Sequence, residues 1–142
     1  MAVQPVEVSY TAVATAENGR DGRVCSDDGR LDVVVNPPRE MGGSGAGTNP
    51  EQLFAAGYSA CFQGALSAVA RQEHVDISTS TVTARVGIGK TSDGGFGLTV
   101  TLSASIPKVD RATARQLMER AHQVCPYSRA TRGNIEVTLD VS

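Results

Sequence analysis

The stretch from Gln52 to Ala70 (QLFAAGYSACFQGALSAVA) carries no charged residue, and it constrains the fold more than any other part of the chain. A helix that meets water on one side normally shows a polar face there, so a helix without charge should be buried on most of its circumference. It belongs between sheets or against a second copy of itself. Its length would also suit a bilayer span, but Gln52, Ser59, Gln63 and Ser67, among many alanines and glycines, argue against a membrane anchor. The helix start is marked just ahead of the run. Asn49 is a good N-cap, Pro50 suits the first helical position, Glu51 faces the positive helix end, and Gln52 stands at the capping-box position. The central helix is predicted over 49–75, with Glu73, His74 and Val75 as its fraying end.

The flanking segments read as strands. Val6 to Ala16 alternates, with Val6, Val8, Tyr10, Ala12 and Ala14 on one face, and Arg30 to Val35 reads as a second strand. They make an N-terminal β-ribbon over residues 1–36, with Gly19, Gly22 and Gly29 at its turns. Residues 37–48 (PPREMGGSGAGT) contain two prolines and four glycines and read as a loop. Thr79 to Lys90 and Phe96 to Ile106 are rich in β-branched residues and are joined by Thr91-Ser92-Asp93-Gly94-Gly95, the pattern of a hairpin. Asp110 can cap a helix whose apolar positions are Ala114, Leu117, Met118, Ala121 and Val124. Pro126 interrupts it, Tyr127 to Thr131 adds a short turn, Gly133 suits a left-handed exit, and Ile135 to Val141 alternates as a last strand. The order β-β-α-β-β-α-β indicates an α+β fold of antiparallel sheets packed on the long buried central helix. A chain of 142 residues fits a single domain, 1–142, with the hairpin and C-terminal helix and strand over 79–142.

Charge and cysteine content narrow the function. A formal net charge of −2, with basic residues spread along the chain, gives neither a nucleic-acid footprint nor a polybasic membrane patch. Small molecules or proteins are the expected partners. Met1 to Pro5 lacks the basic start, apolar run and small-residue site of a secretory signal, so cytoplasmic residence is expected. Three cysteines, an odd number, argue against a disulfide framework, so any disulfide would be catalytic. The loop GGSGAG precedes a helix but lacks the lysine and spacing of a phosphate loop and does not complete the dinucleotide fingerprint. His74 and His122 are the only histidines; neither stands at zinc-site spacing, and both read as surface residues. No metal or bound cofactor is expected. Ser59, in Gly57-Tyr58-Ser59-Ala60-Cys61, does not sit in a nucleophile elbow.

By residue type alone, Cys61 reads as a small buried hydrophobe. Cys125 has a better local case for reactivity, because it precedes Pro126 and can head a new helical turn, where amide dipoles favour a thiolate. Cys25, beside a turn, reads as a bystander. Arg20 reads as a turn arginine and Glu51 as a first-turn acid.

Whole motifs go further. Gly45 to Phe62 (GAGTNPEQLFAAGYSACF), Val124-Cys125-Pro126-Tyr127-Ser128, Thr131-Arg132-Gly133-Asn134, Gly19-Arg20-Asp21-Gly22 and Ser26-Asp27-Asp28-Gly29-Arg30-Leu31 closely resemble the organic hydroperoxide resistance family of the osmotically inducible protein C superfamily. The resemblance implies a thiol peroxidase in which Cys61 is peroxidatic and Cys125 resolving. It implies that Arg20 stabilises the thiolate and the peroxide while Glu51 orients Arg20. It also implies alkyl and lipid hydroperoxides as substrates and dihydrolipoyl groups on lipoylated proteins as reductant. The osmotically inducible subgroup is a neighbouring reading with similar chemistry, and a ligand-binding or scaffold protein would leave both cysteines as packing. Phe54, Phe62, Leu66 and Met41 either line an apolar entrance for an organic tail or fill the core.

Spacing adds a condition. Glu51 and Cys61 are ten positions apart (61 − 51), hence about 15 Å along one helix, too far for both to meet one peroxide. Two helices packed antiparallel about a two-fold axis near Ala56 would set Glu51 of one level with Cys61 of the other. Ala55, Ala56, Gly57 and Ala60 permit such close approach, and an intertwined homodimer with two composite sites is expected.

Overall fold

A computed structural model of the chain describes residues 3–142; of the N-terminal segment considered above, Met1 and Ala2 lie outside the described residues. The fold is α+β, with two small sheets and one long helix, and the chain divides into two compact units, residues 1–50 and 51–142.

The first unit is a three-stranded antiparallel meander of β1 (Ala14–Glu17), β2 (Gly22–Ser26) and β3 (Asp32–Val35). Alternation located β3 but missed β2 (GRVCS), whose register sets Thr15 opposite Cys25 on one side and Val24 opposite Val33 on the other. The first turn demands glycine at its exit. A Cβ on Gly22 would lie 2.0 Å from the Glu17 carbonyl oxygen, so no larger residue fits the β1–β2 turn. Arg23 and Asp32 pair across β2 and β3 in a two-pronged ion pair at 2.7 and 2.6 Å. The strand predicted over Val6–Ala16 is shorter than expected. Only its end pairs, and Val6, Val8 and Tyr10 stand 79, 68 and 79% exposed outside any ladder among the described residues. Alternation gives a strand a face, but a ladder also needs a neighbouring edge. Residues 37–48 form a loop, as predicted, containing a single 3-10 turn at Arg39–Met41 and left-handed glycines at 42 and 45.

The second unit is built on α1 (Pro50–Gln72), which begins right after Asn49 and is followed by His74 in the left-handed region, φ 57°. β4 (Thr81–Lys90) and β5 (Phe96–Ser105) form the predicted hairpin, with Lys90 opposite Phe96. Asp110 caps α2 (Arg111–Val124) by accepting from the Thr113 N–H. Then come α3 (Pro126–Thr131) and β6 (Val137–Val141). β6 corrects the antiparallel expectation. It runs parallel to β5, with Val100 opposite Val137 and Leu102 opposite Leu139, because two helices carry the chain back before it re-enters the sheet.

One core joins these elements: Tyr58, Phe62, Leu66 and Val69 from α1, Val100, Leu102 and Ala104 from β5, and Leu117, Met118 and Ala121 from α2. α1 is long and apolar enough to cross a membrane by length and composition alone, yet this face is packed in the protein core. Gln52, Ala56, Ala60, Gly64 and Ala68, spaced four apart, form an exposed stripe, so the uncharged helix is covered on one side only.

Candidate active site

Two cysteines 64 positions apart meet in the second unit, their sulfurs in hydrogen-bond contact at 3.6 Å. Both are free thiols; Cys125 is fully buried and Cys61 half-buried. Pro126 creates the position of Cys125. A proline has no N–H to continue α2, and its ring drives the preceding residue out of the helical region, so Cys125 adopts φ −64°, ψ 124°. Its N–H still closes α2 on the Ala121 carbonyl at 2.8 Å, and its carbonyl opens α3 by accepting from the Arg129 N–H at 3.0 Å.

The break has a second effect. Amides in the first turn of a helix lack intrahelical acceptors, and the Tyr127 N–H, just past Pro126, faces the Cys61 sulfur and favours its thiolate. Burial pushes the Cys61 thiol above its ordinary value, the Tyr127 amide opposes this, and the Cys125 sulfur adds to the upward push because adjacent sulfurs resist sharing two charges. Among the groups of its own unit, Cys61 therefore has a hydrogen-bond donor for its thiolate but a raised cost of ionisation. Forming a bond of about 2.0 Å from the observed separation requires about 1.6 Å of approach, within reach of side-chain rotation and a small helix shift.

Aromatic rings wall one side. Phe54 meets Tyr58 edge-on at a centroid distance of 6.0 Å, and Tyr127 lies 5.7 Å from Tyr58 and 6.2 Å from Phe54. Gly57 allows this approach, since a Cβ there would stand 3.0 Å from the Tyr127 hydroxyl oxygen. Beside the rings opens a mainly apolar cleft of about 390 Å³, lined by Phe54, Leu98, Tyr127, Ala130, Thr131, Asn134 and Ile135. Of the four residues predicted as an apolar lining, Phe54 is here. Phe62 and Leu66, both 0% exposed, fill the core instead, the other option open to them. Met41 sits in the 3-10 turn of the first unit, about half exposed.

Behind the sulfurs lies a polar cluster. The Tyr58 hydroxyl is 2.8 Å from Ser128 Oγ and 3.0 Å from Thr131 Oγ1, and His122 Nδ1 is 2.7 Å from Ser128 Oγ. The surface reading of His122 is thereby corrected: the ring is half-buried and bonded inward, and burial, then the nearby Arg132 charge, holds its pKa below the ordinary value. His74 is exposed at the exit of α1. Arg20 lies in the exposed turn 18–21 of the first unit and Glu51 in the first turn of α1, and neither is without a partner. Among the described residues, no three His, Cys, Asp or Glu side chains converge as metal ligands would. The Tyr127 amide and the polar cluster escaped sequence reading. The one available signal was Pro126 itself, since a proline at the first helical position leaves the next amides free.

Comparison with known proteins gives consistent matches. The family model described as OsmC-like protein matches residues 42–140. The organic hydroperoxide resistance protein of Xanthomonas axonopodis pv. citri is 53% identical over 140 residues, covering 97% of this chain and 98% of that protein. The crystal structure of an organic hydroperoxide resistance protein from Vibrio cholerae, with captopril bound in one of the active sites, superposes with a TM-score of 0.91 at 50% identity, over 97% of this chain and 95% of that one. The organic hydroperoxide resistance protein OhrB of Bacillus subtilis superposes with a TM-score of 0.87 at 46% identity, over 95% of this chain and 100% of that one.

Proposed function

This chain belongs to the organic hydroperoxide resistance family of the OsmC-like proteins, and we propose that it is a cysteine-based peroxidase that reduces alkyl and lipid hydroperoxides to alcohols. The observation that carries this reading is the pair of free thiols 3.6 Å apart, Cys61 half-buried and Cys125 buried beside it. The Cys61 thiolate attacks one peroxide oxygen, the O–O bond breaks, and the departing alkoxide takes a proton to leave as an alcohol. Cys61 is now a sulfenic acid. Cys125 attacks its sulfur, an S–S bond forms and water leaves. A dithiol of the dihydrolipoyl type, carried on a lipoylated protein in the cytoplasm, then restores both thiols by exchange.

Ionising Cys61 against its burial calls for a cation, and Arg20 is the group assigned to that role. Its guanidinium stays charged, favours the thiolate and donates to the leaving oxygen, with Glu51 holding the fork. The apolar cleft beside Phe54 and Tyr127 suits an organic tail better than hydrogen peroxide. The whole chain, 1–142, is assigned to one thiol-peroxidase domain acting as an intertwined homodimer. Two features support the dimer: the exposed Val6, Val8 and Tyr10, which await a ladder, and the stripe of small residues on α1, which suits close helix contact. A two-fold axis near Ala56 would bring Glu51 of one chain to Cys61 of the other.

The test is consumption of tert-butyl or cumene hydroperoxide by wild type, Cys61→Ser and Cys125→Ser, with dihydrolipoamide and then dithiothreitol. Cys61→Ser should be inactive, and Cys125→Ser should oxidise once at Cys61 without turning over on the lipoyl reductant. Arg20→Met should keep the fold and lose about 100- to 1,000-fold in rate, the usual cost of removing one transition-state donor. Unchanged activity in Cys61→Ser would reject the mechanism.

A further inference from the structure

The polar cluster behind the sulfurs has a direction set by a single carbonyl. Thr131 Oγ1 lies 3.2 Å from the backbone oxygen of Ser128, which can only accept, so the one hydroxyl hydrogen of Thr131 is used there. Thr131 Oγ1 must then accept from the Tyr58 hydroxyl, 3.0 Å away. Tyr58 has no second hydrogen, so its 2.8 Å bond to Ser128 is donated by Ser128 Oγ. Ser128 in turn has spent its hydrogen, so the 2.7 Å bond to His122 is donated by Nδ1–H. Every hydroxyl gives once, and the order of donation is His122 to Ser128 to Tyr58 to Thr131 to the Ser128 carbonyl.

The members stand one helical turn from the chemistry. Tyr58 is three residues before Cys61 on α1, His122 three before Cys125 on α2, and Ser128 three after Cys125 on α3. Without tertiary contacts α3 has no means of holding its place: it has six residues, far below the length at which a helix is stable alone, and the Cys125 side chain does not cap it. Ser128 and Thr131 are also its two buried residues. A second link runs from Arg132 Nη1 to the His122 carbonyl at 2.9 Å, closing α3 onto α2.

We infer that Tyr58, Ser128, Thr131 and His122 are positioning residues: their one-way hydrogen-bond chain, beginning at a His122 protonated on Nδ1, clamps α3 to α1 and α2 and thereby fixes the first turn of α3, with the Tyr127 amide, beside Cys61. Tyr58, His122 and Ser128 each stand one turn from a site cysteine and Thr131 one turn from Tyr127, and the low dielectric of a buried site strengthens a fully satisfied network. The groups facing Cys61 from the packed helices are the Tyr127 amide and the Cys125 thiol, and the charged group facing His122 is Arg132. The inference rests on Cys61 being the reacting sulfur, but its test reads ionisation rather than turnover.

Two measurements on the reduced full-length protein decide it. Long-range imidazole NMR of wild type near neutral pH should show His122 as the Nδ1–H tautomer; an Nε2–H tautomer overturns the chain at its first bond. Separately, the pH profile of iodoacetamide alkylation at Cys61 is followed by peptide mass spectrometry. Tyr58→Phe and Thr131→Val, which delete hydroxyls while nearly conserving volume, should move the midpoint upward and slow alkylation at pH 7 about three- to tenfold, a partial loss of one charge-assisted hydrogen bond. Thr131→Ser, which keeps the hydroxyl, should retain the wild-type profile. If Tyr58→Phe and Thr131→Val give the wild-type midpoint, the clamp has no hold on Cys61 and the inference fails. A wild type that alkylates as described but consumes no hydroperoxide would refute the peroxidase and leave the clamp standing.

Discussion

Oxidising the two thiols to a disulfide should raise the melting temperature, and the size of the rise follows from the chain length between them. Cys61 and Cys125 are 64 positions apart. Closing a loop of that length removes about 4 kcal/mol of unfolded-state entropy at 25 °C, before any strain in the folded state is subtracted. For a domain of this size each kcal/mol is worth about 3 °C, so the oxidised protein should melt up to about 12 °C higher. The assay is calorimetry of protein treated with one equivalent of cumene hydroperoxide, against the same protein held in dithiothreitol at equal concentration. Cys25→Ser should show the full rise, because Cys25 lies in the other unit, in β2. Cys61→Ser and Cys125→Ser should show none. A rise that survives in either variant, or identical melting of oxidised and reduced wild type, would refute the pairing.

Two further outcomes concern the scaffold that presents Cys125. Asp110→Ala removes the oxygen that accepts the Thr113 N–H at 2.7 Å at the start of α2, and should cost about 1 kcal/mol, read as a melting temperature about 3 °C lower. Asp76, after α1, accepts from the Ser78 hydroxyl and N–H and pairs with Lys108 at 3.3 Å, which hold its pKa down at about 2 against 3.8. A depressed carboxyl stabilises the fold above its unfolded pKa and loses that contribution as pH falls through the folded value. The acid limb of a pH–stability curve between about 4 and 2 should therefore be shallower in Asp76→Asn, and an unchanged limb would assign acid unfolding elsewhere.

The features legible in the sequence are those carried by local pattern. Asn49-Pro50-Glu51 announces the start of α1, Asp110 caps α2, and Pro126 stops it, because each acts on backbone groups within a few positions. β2 was invisible because Gly22-Arg23-Val24-Cys25-Ser26 is short and mixes charge with small residues; its partners β1 and β3 hold it in place. The parallel pairing of β6 was equally hidden, since Val137 and Leu139 alternate the same way in either direction. Val6 to Val13 shows the converse: the pattern is present and the partner edge is absent from the ladders of the described residues. At the site, both cysteines were legible as motifs. The Tyr127 donor was not, because a backbone amide has no residue signature. His122 and Ser128 were missed for a related reason: their burial depends on Tyr58, 70 positions from Ser128.

The pairing of Cys61 with Cys125 is the claim on which the rest depends, and peptide mass spectrometry of the hydroperoxide-treated protein tests it most directly. Digestion without reductant should yield a linked peptide joining Cys61 to Cys125, which disappears on treatment with dihydrolipoamide, while Cys25 remains alkylatable throughout. Recovery of Cys61 as a free thiol after treatment, or of a linkage that uses Cys25 instead, would contradict the account.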